Sequence, residues 1–70
     1  MSLSGIDLTV YSYIKNNVNE DGVYTKTIGS IARGSAVSET ATKKAIESLE
    51  KAGMLDITRV NRRISVIKLS

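Results

Sequence analysis

The stretch SETATKKAIESLEKAG, from Ser38 to Gly53, is the most strongly patterned part of this 70-residue chain. Serine is favoured just before a helix, and glycine is favoured just after one. The apolar residues between them recur at helical spacing, which predicts helix 3 over about 38–52. We expect its buried face to consist of Ala41, Ala45, Leu49 and Ala52, with Ile46 at the edge.

The opposite face of helix 3 carries Thr40, Lys43, Lys44, Glu47 and Lys51. Glu47 lies four residues from both Lys43 and Lys51, so we expect ion pairs with both, and Lys44 remains the freest charge. The same pattern also occurs on solvated helices that bind nothing. The lysines alone therefore leave the function open.

Two further helices precede this one. Ile6, Val10 and Ile14 recur at four-residue spacing after a capping-box pattern at residues 4–7, which predicts helix 1 over about 5–17. A second apolar stripe predicts helix 2 over about 26–33, with Gly34 as its left-handed terminator.

The strand signals lie at residues 23–25 and after Gly53. The first is long enough only for an edge strand. LDITRV and ISVIKL then alternate or are rich in β-branched residues, which predicts a hairpin over about 55–69. Asn61-Arg62 lies where the hairpin must turn, and asparagine tolerates the positive φ of a tight turn.

The predicted order is α-β-α-α-β-β, in a single domain spanning 1–70. Helix 2 and helix 3 are joined by a connector of three or four residues, and small alanine side chains allow the two helices to approach closely. This arrangement is a helix-turn-helix, and a basic hairpin after it is a wing. The predicted fold is therefore an α+β winged helix-turn-helix, with three helices and a small antiparallel sheet.

Composition excludes several kinds of chemistry. The chain has no Cys and no His, which removes thiol nucleophiles, histidine bases, disulfides and the usual zinc ligands. It has no glycine-rich phosphate motif, and its apolar runs are too short for a membrane span. We expect no enzyme activity, no cofactor, no metal, no membrane contact and an intracellular location.

Charge is distributed unevenly along the chain. Residues 1–22 carry one lysine and three acidic residues, whereas residues 23–70 carry nine basic and four acidic ones. A basic surplus of this kind favours a polyanionic partner, most often nucleic acid, although ordinary solvated charge is the alternative. The three arginines around the hairpin turn favour nucleic acid, because like charges crowded there suit a bound anion.

We therefore expect double-stranded DNA as the partner. The N-terminal half of helix 3 would enter the major groove, and the hairpin would contact the phosphate backbone or the minor groove. The free amides at the start of helix 3 would also meet a phosphate. The predicted contact residues are Ser38, Thr40, Lys43, Lys44, Arg59, Asn61, Arg62 and Arg63.

The segment VSETATKKAIESLEKAGML, residues 37–55, resembles the recognition helix of winged-helix transcription proteins. Three blocks, at residues 10–14, 22–28 and 48–50, resemble a winged helix of the TFIIE-related smaller subunit of RNA polymerase III. Tyr24 stands where that family usually has Trp, and MarR-like and GntR-like regulators are competing resemblances. The polymerase resemblance implies a role in transcription initiation, contacts with neighbouring subunits, no catalysis by this domain and a nuclear location. The others imply the cytoplasm or nucleoid.

A second hypothesis is a winged helix that serves as a protein-interaction module within a larger transcription or replication assembly. The acidic Glu39 on the exposed face and the modest net charge of +3 favour it. In either case the chain offers no extra helix for dimerisation, so we expect the isolated domain to be monomeric.

Overall fold

The computed structural model describes residues 3–70, so the first two residues of the predicted domain lie outside the described part of the chain. These residues form three helices and a three-stranded antiparallel sheet, which is an α+β arrangement. The elements, in order, are α1 Gly5–Lys15, β1 Val23–Tyr24, α2 Ile28–Ser35, α3 Glu39–Lys51, β2 Leu55–Val60 and β3 Arg63–Leu69.

α1 begins at its capping box and ends two residues before the predicted limit of 17. Continuation of the helix would pair the backbone N–H of Asn17 with the carbonyl of Tyr13. Instead, the Asn17 side chain donates to that carbonyl at 2.8 Å. Val10 and Ile14 are buried as expected, whereas Ile6 is 47% exposed, so the buried face is confined to the later turns.

α2 lies two residues later than the predicted range of 26–33, and the interpretation of Gly34 as its terminator is wrong. Thr27 is the N-cap, because its hydroxyl accepts a backbone N–H of the first turn at 3.1 Å. The left-handed residue after the helix is Ala36, with φ 58°. Gly34 lies inside the last turn, where the ring of Tyr13 fills the space that a side chain would need.

α3 has Ser38 as its N-cap, but its buried face is rotated from the predicted one. Ala52 is exposed and Ala41 is only half-buried. Thr42 is fully buried instead, and its hydroxyl donates to the carbonyl of Ser38 at 2.8 Å, which satisfies the polar group. The buried residues of α3 are Thr42, Ala45, Ile46 and Leu49.

The sheet has the strand order β1-β3-β2, and β1 is a two-residue edge strand. The β2–β3 hairpin turns through Asn61 and Arg62. Tyr24, Leu55 and Ile67 are buried and join the side chains of the helices in one hydrophobic core. The sheet therefore fixes the hairpin beside α3, with its turn extending into solvent.

Candidate nucleic-acid interface

The exposed face of α3 is the one expected from the sequence. Thr40, Lys43, Lys44 and Glu47 are all exposed, because the buried stripe of the helix faces the core. Two lysines and a hydroxyl group are thus available on the side of the helix that points away from the protein. The hairpin lies beside part of this face, so that residues of α3 and of the hairpin form one surface.

The hairpin turn places a bulky residue in a conformation that usually belongs to glycine. Asn61 has φ 51° and Arg62 has φ 67°, and both are exposed. Two successive left-handed residues in a two-residue loop are typical of a type I′ turn, in which Asn-Gly is the preferred pair. A left-handed conformation costs a non-glycine residue about 1–2 kcal/mol, so Arg62 is strained.

A groove of about 540 Å³ separates α3 from the hairpin, and we call it the basic groove. Four cationic side chains and one carboxylate line it, together with two half-buried isoleucines. Its lining residues are Ile28, Lys43, Glu47, Arg59, Arg62, Arg63 and Ile64. The surplus of positive charge in one concave surface suits a polyanion.

The basic groove brings together four of the eight predicted site residues: Lys43, Arg59, Arg62 and Arg63. The other four are exposed but do not line it. Thr40 and Lys44 lie on the solvent face of α3, Asn61 lies in the turn and Ser38 caps the helix.

Ser38 already has a structural role at the start of α3. Its hydroxyl oxygen accepts the backbone N–H of Ala41 at 3.1 Å. Among the hydrogen bonds of residues 3–70, none uses the backbone N–H groups of Glu39 and Thr40. An anion at this helix start would therefore meet free amides rather than the Ser38 hydroxyl.

Of the three arginines that the sequence crowds around the turn, Arg59 already has an acidic partner within the protein. This side chain forms an ion pair with Glu50 at the C-terminal end of α3, with an N–O distance of 2.8 Å. The hydrogen bonds from Arg59 hold the pKa of Glu50 below its usual value, and the carboxylate in turn raises the pKa of Arg59. Arg62 and Arg63 form no such pair within residues 3–70.

The predicted ion pairs of Glu47 are also absent from the described residues. Neither Lys43 nor Lys51 lies within 4.0 Å of the Glu47 carboxylate, since the Glu50–Arg59 pair is the sole salt bridge over residues 3–70. Lys43 instead lines the basic groove. The acidic residue of α3 that does form an ion pair is Glu50, and its partner, Arg59, belongs to the hairpin.

Sequence reasoning missed Lys26 as a candidate. A second concavity, of about 440 Å³, adjoins the basic groove, and Lys26, Lys43 and Ile64 are among its lining residues. The sequence placed Lys26 inside helix 2, but the Thr27 cap leaves it in the short segment between β1 and α2. The positive charge of Lys26 is evident from the sequence, whereas its place beside the basic groove is not.

Glu39 faces the start of α2. A methyl group added to Gly29, in the first turn of α2, would lie 3.2 Å from Oε1 of Glu39. A carboxylate in this position is stabilised by the partial positive charge at the helix N-terminus. The acidic side chain that would repel a polyanion is thus partly compensated by α2.

Residues 3–70 contain neither a metal-binding cluster nor a helix that could span a membrane. No group of three or more acidic, His or Cys side chains in this range is placed to hold a metal ion. None of the helices there is both long enough and apolar enough to span a bilayer.

The comparisons with known proteins give no assignment. No protein-family model matches the chain. A search of curated proteins likewise finds no significant match.

Proposed function

We propose that this chain is a nucleic-acid-binding winged helix-turn-helix domain that acts in transcription. In this proposal α2 and α3 are the helix-turn-helix, α3 enters the major groove of double-stranded DNA, and the β2–β3 hairpin is the wing. The observation that carries the proposal is the basic groove, in which Lys43, Arg62 and Arg63 meet between α3 and the hairpin.

The shape of the surface supports this assignment. A major groove is about 12 Å wide and admits one helix, so α3 would enter it with Thr40, Lys43 and Lys44 towards the bases and phosphates. The hairpin beside α3 would then lie against the adjacent phosphate backbone. The basic groove between the two elements would receive the strand that borders the major groove.

The strained turn also supports the proposal. Arg62 occupies the position in which glycine would be the more stable residue. Strain of this kind occurs at functional sites more often than elsewhere. A guanidinium group at the outermost point of the hairpin can form paired hydrogen bonds with a phosphate.

The resemblance to the TFIIE-related polymerase subunit supports transcription initiation as the process. Under this proposal the domain contacts promoter DNA and neighbouring subunits, works in the nucleus and performs no catalysis. The lack of His and Cys agrees with a binding role, because the chain offers no histidine base or thiol nucleophile.

An NMR titration of the ¹⁵N-labelled protein with a duplex DNA tests the binding mode. We expect amide shifts at Thr40, Lys43 and Arg62, and none at Leu8 or Ser12, which lie on α1 outside the basic groove. Shifts confined to α1, or no shifts at low salt, would contradict the proposal. Low salt is the sensitive condition, because phosphate contacts weaken steeply as salt rises.

A protein-interaction module is the second candidate, and one observation favours it. Two carboxylates, those of Glu47 and Glu50, lie close enough to Arg59 to affect its pKa, which reduces the net charge beside the basic groove. A domain that shows no DNA binding at low salt but retains purified partner subunits of a transcription complex would fit this candidate.

A further inference from the structure

Arg59 and Glu50 form a two-pronged ion pair between the hairpin and α3. Nη1 of Arg59 donates to Oε2 of Glu50 at 2.8 Å, and Nη2 donates to Oε1 at 2.8 Å. Two parallel bonds of this kind fix direction as well as distance. Both terminal nitrogens of the guanidinium group are therefore directed at the helix.

Alternation along β2 sets the face on which Arg59 lies, which is the face of the half-buried Ile57 two residues before it. Thr58 is opposite Val66 in the register, whereas Arg59 is opposite Ile64, so Ser65 is the extra residue of β3. Cross-strand partners lie on the same face of a sheet, and Ile64 packs against the core. The bulge in β3 thus places Ile64, rather than Ser65, on the same face as Arg59, which is the helix side of the hairpin.

Little else in β2 holds the outer half of the hairpin. Leu55 is buried and Ile57 is half-buried, but residues 58–60 are exposed. On β3, Ile64 is the half-buried residue nearest the turn. Over residues 3–70, the Arg59–Glu50 pair is the sole side-chain hydrogen-bonded connection from β2 to α3.

The charges around Arg59 also separate it from the other cations of the basic groove. The hydrogen bonds that Arg59 donates to Glu50 are the main cause of its raised pKa, and the charge of Glu47 adds to it. Lys43, Arg62 and Arg63 have no ion pair within the described part of the chain. To contact a phosphate, Arg59 would first have to break its two hydrogen bonds to Glu50. Lys43, Arg62 and Arg63 would break no ion pair.

We infer that Glu50 is a positioning residue, which holds the hairpin against α3 through Arg59 and thereby orients the arginines of the turn. The inference rests on the proposed function and deepens it. Arg59 stays on Glu50 in the complex, so the phosphate contacts of the basic groove come from Lys43, Arg62 and Arg63. Glu50 then strengthens binding to a polyanion although it is itself an anion.

Binding of a fluorescent duplex DNA by two charge-neutralised variants tests this role. Glu50→Gln removes a negative charge, which alone would tighten binding, yet we expect it to weaken binding roughly three- to tenfold. Glu20→Gln, with the same charge change in the loop after α1, is the matched control, and we expect its binding to be unchanged or tighter. Equal or tighter binding by Glu50→Gln would overturn the inference.

Two further variants separate orientation from direct contact. Arg59→Gln is expected to weaken binding with little change in its salt dependence, whereas a lost phosphate contact lowers the salt slope by about one. The exchanged pair, Glu50→Arg with Arg59→Glu, is expected to recover most of the affinity. A slope that falls by about one in Arg59→Gln would show that Arg59 contacts phosphate and would overturn the inference.

The protein without DNA provides an independent measurement. In ¹⁵N relaxation, we expect Glu50→Gln to increase fast motion of the amides of residues 60–63, with Glu20→Gln unchanged. Identical relaxation in both variants would overturn the positioning role. If the unsubstituted protein binds no DNA at low salt, the proposed function fails, and this relaxation measurement still tests the connection between hairpin and helix.

Discussion

The aromatic ring of Tyr13, on α1, lies directly against the backbone of Gly34, in the last turn of α2. A Cβ atom on Gly34 would lie only 2.5 Å from Cζ of that ring, which is closer than non-bonded carbon atoms approach. The same ring packs edge-on against Tyr24, with 6.5 Å between the ring centroids. Tyr13 thus connects both helices to the sheet, and the absence of a side chain at Gly34 makes this possible.

Gly34→Ala is expected to destabilise the protein by about 1–3 kcal/mol, because the added methyl group forces the Tyr13 ring out of its position. Urea unfolding measures the change in the free energy of unfolding. Gly5→Ala, in the first turn of α1, is the control, because a Cβ atom there has no neighbour within 4 Å. Equal stability of the two variants would contradict the close contact.

Substitutions of Ser38 separate its structural role from the proposed contact with DNA. Ser38→Ala removes the N-cap of α3, so we expect a loss of about 1 kcal/mol in the free energy of unfolding. Ser38→Asp keeps a cap acceptor, so its stability is expected to stay close to that of the unsubstituted protein. Its added negative charge should nevertheless weaken DNA binding. Tighter DNA binding by Ser38→Asp would contradict the placement of DNA at this helix start.

Arg62→Gly is expected to increase stability and to reduce DNA affinity in the same protein. Glycine relieves the left-handed strain, which is worth about 1 kcal/mol, and it removes a guanidinium group from the turn. Thermal unfolding and DNA binding are measured in parallel. Asn61→Gly is the control, since asparagine already tolerates this conformation and we expect a smaller gain. A less stable Arg62→Gly variant would argue against the type I′ turn.

The Glu50–Arg59 pair predicts a specific pH dependence. The pKa of Glu50 in the folded protein lies below its usual value of 4.5, so its contribution to stability is complete above that pH. This contribution is lost as the pH falls below 4.5 and through the folded pKa. We expect Glu50→Gln to be less stable than the unsubstituted protein by a constant amount at neutral pH. The difference should disappear in acid, and urea midpoints over a pH series measure it.

Much of the fold could be predicted from local patterns, because helix and strand periodicity, caps and turn residues are local properties. The limits of α1 and α2 could not be predicted in this way. α1 ends where the Asn17 side chain donates to a helix carbonyl, and α2 ends at Ala36 in a left-handed conformation that residues other than glycine rarely adopt. The buried face of α3 is rotated because the Thr42 hydroxyl can be buried, since it donates to the carbonyl of the N-cap residue Ser38.

The candidate site could be predicted in part for the same reason. The exposed residues of α3 follow from its period, and the turn at Asn61 follows from its backbone preference. The pairing of Arg59 with Glu50 depends on the approach of the hairpin to α3, which no local pattern encodes. Lys26 lines the concavity beside the basic groove because β1, which ends two residues before it, pairs with β3. This pairing is not a local property of the sequence.

The salt dependence of DNA binding tests the central claim most directly. The double variant Lys43→Gln/Arg62→Gln removes two cations of the basic groove, and Lys15→Gln/Arg33→Gln removes two exposed cations outside it. We predict that the slope of log Kd against log salt falls by about two in the first variant only, by a similar amount on any duplex sequence. Equal slopes for the two double variants would contradict the claim that the basic groove binds phosphate.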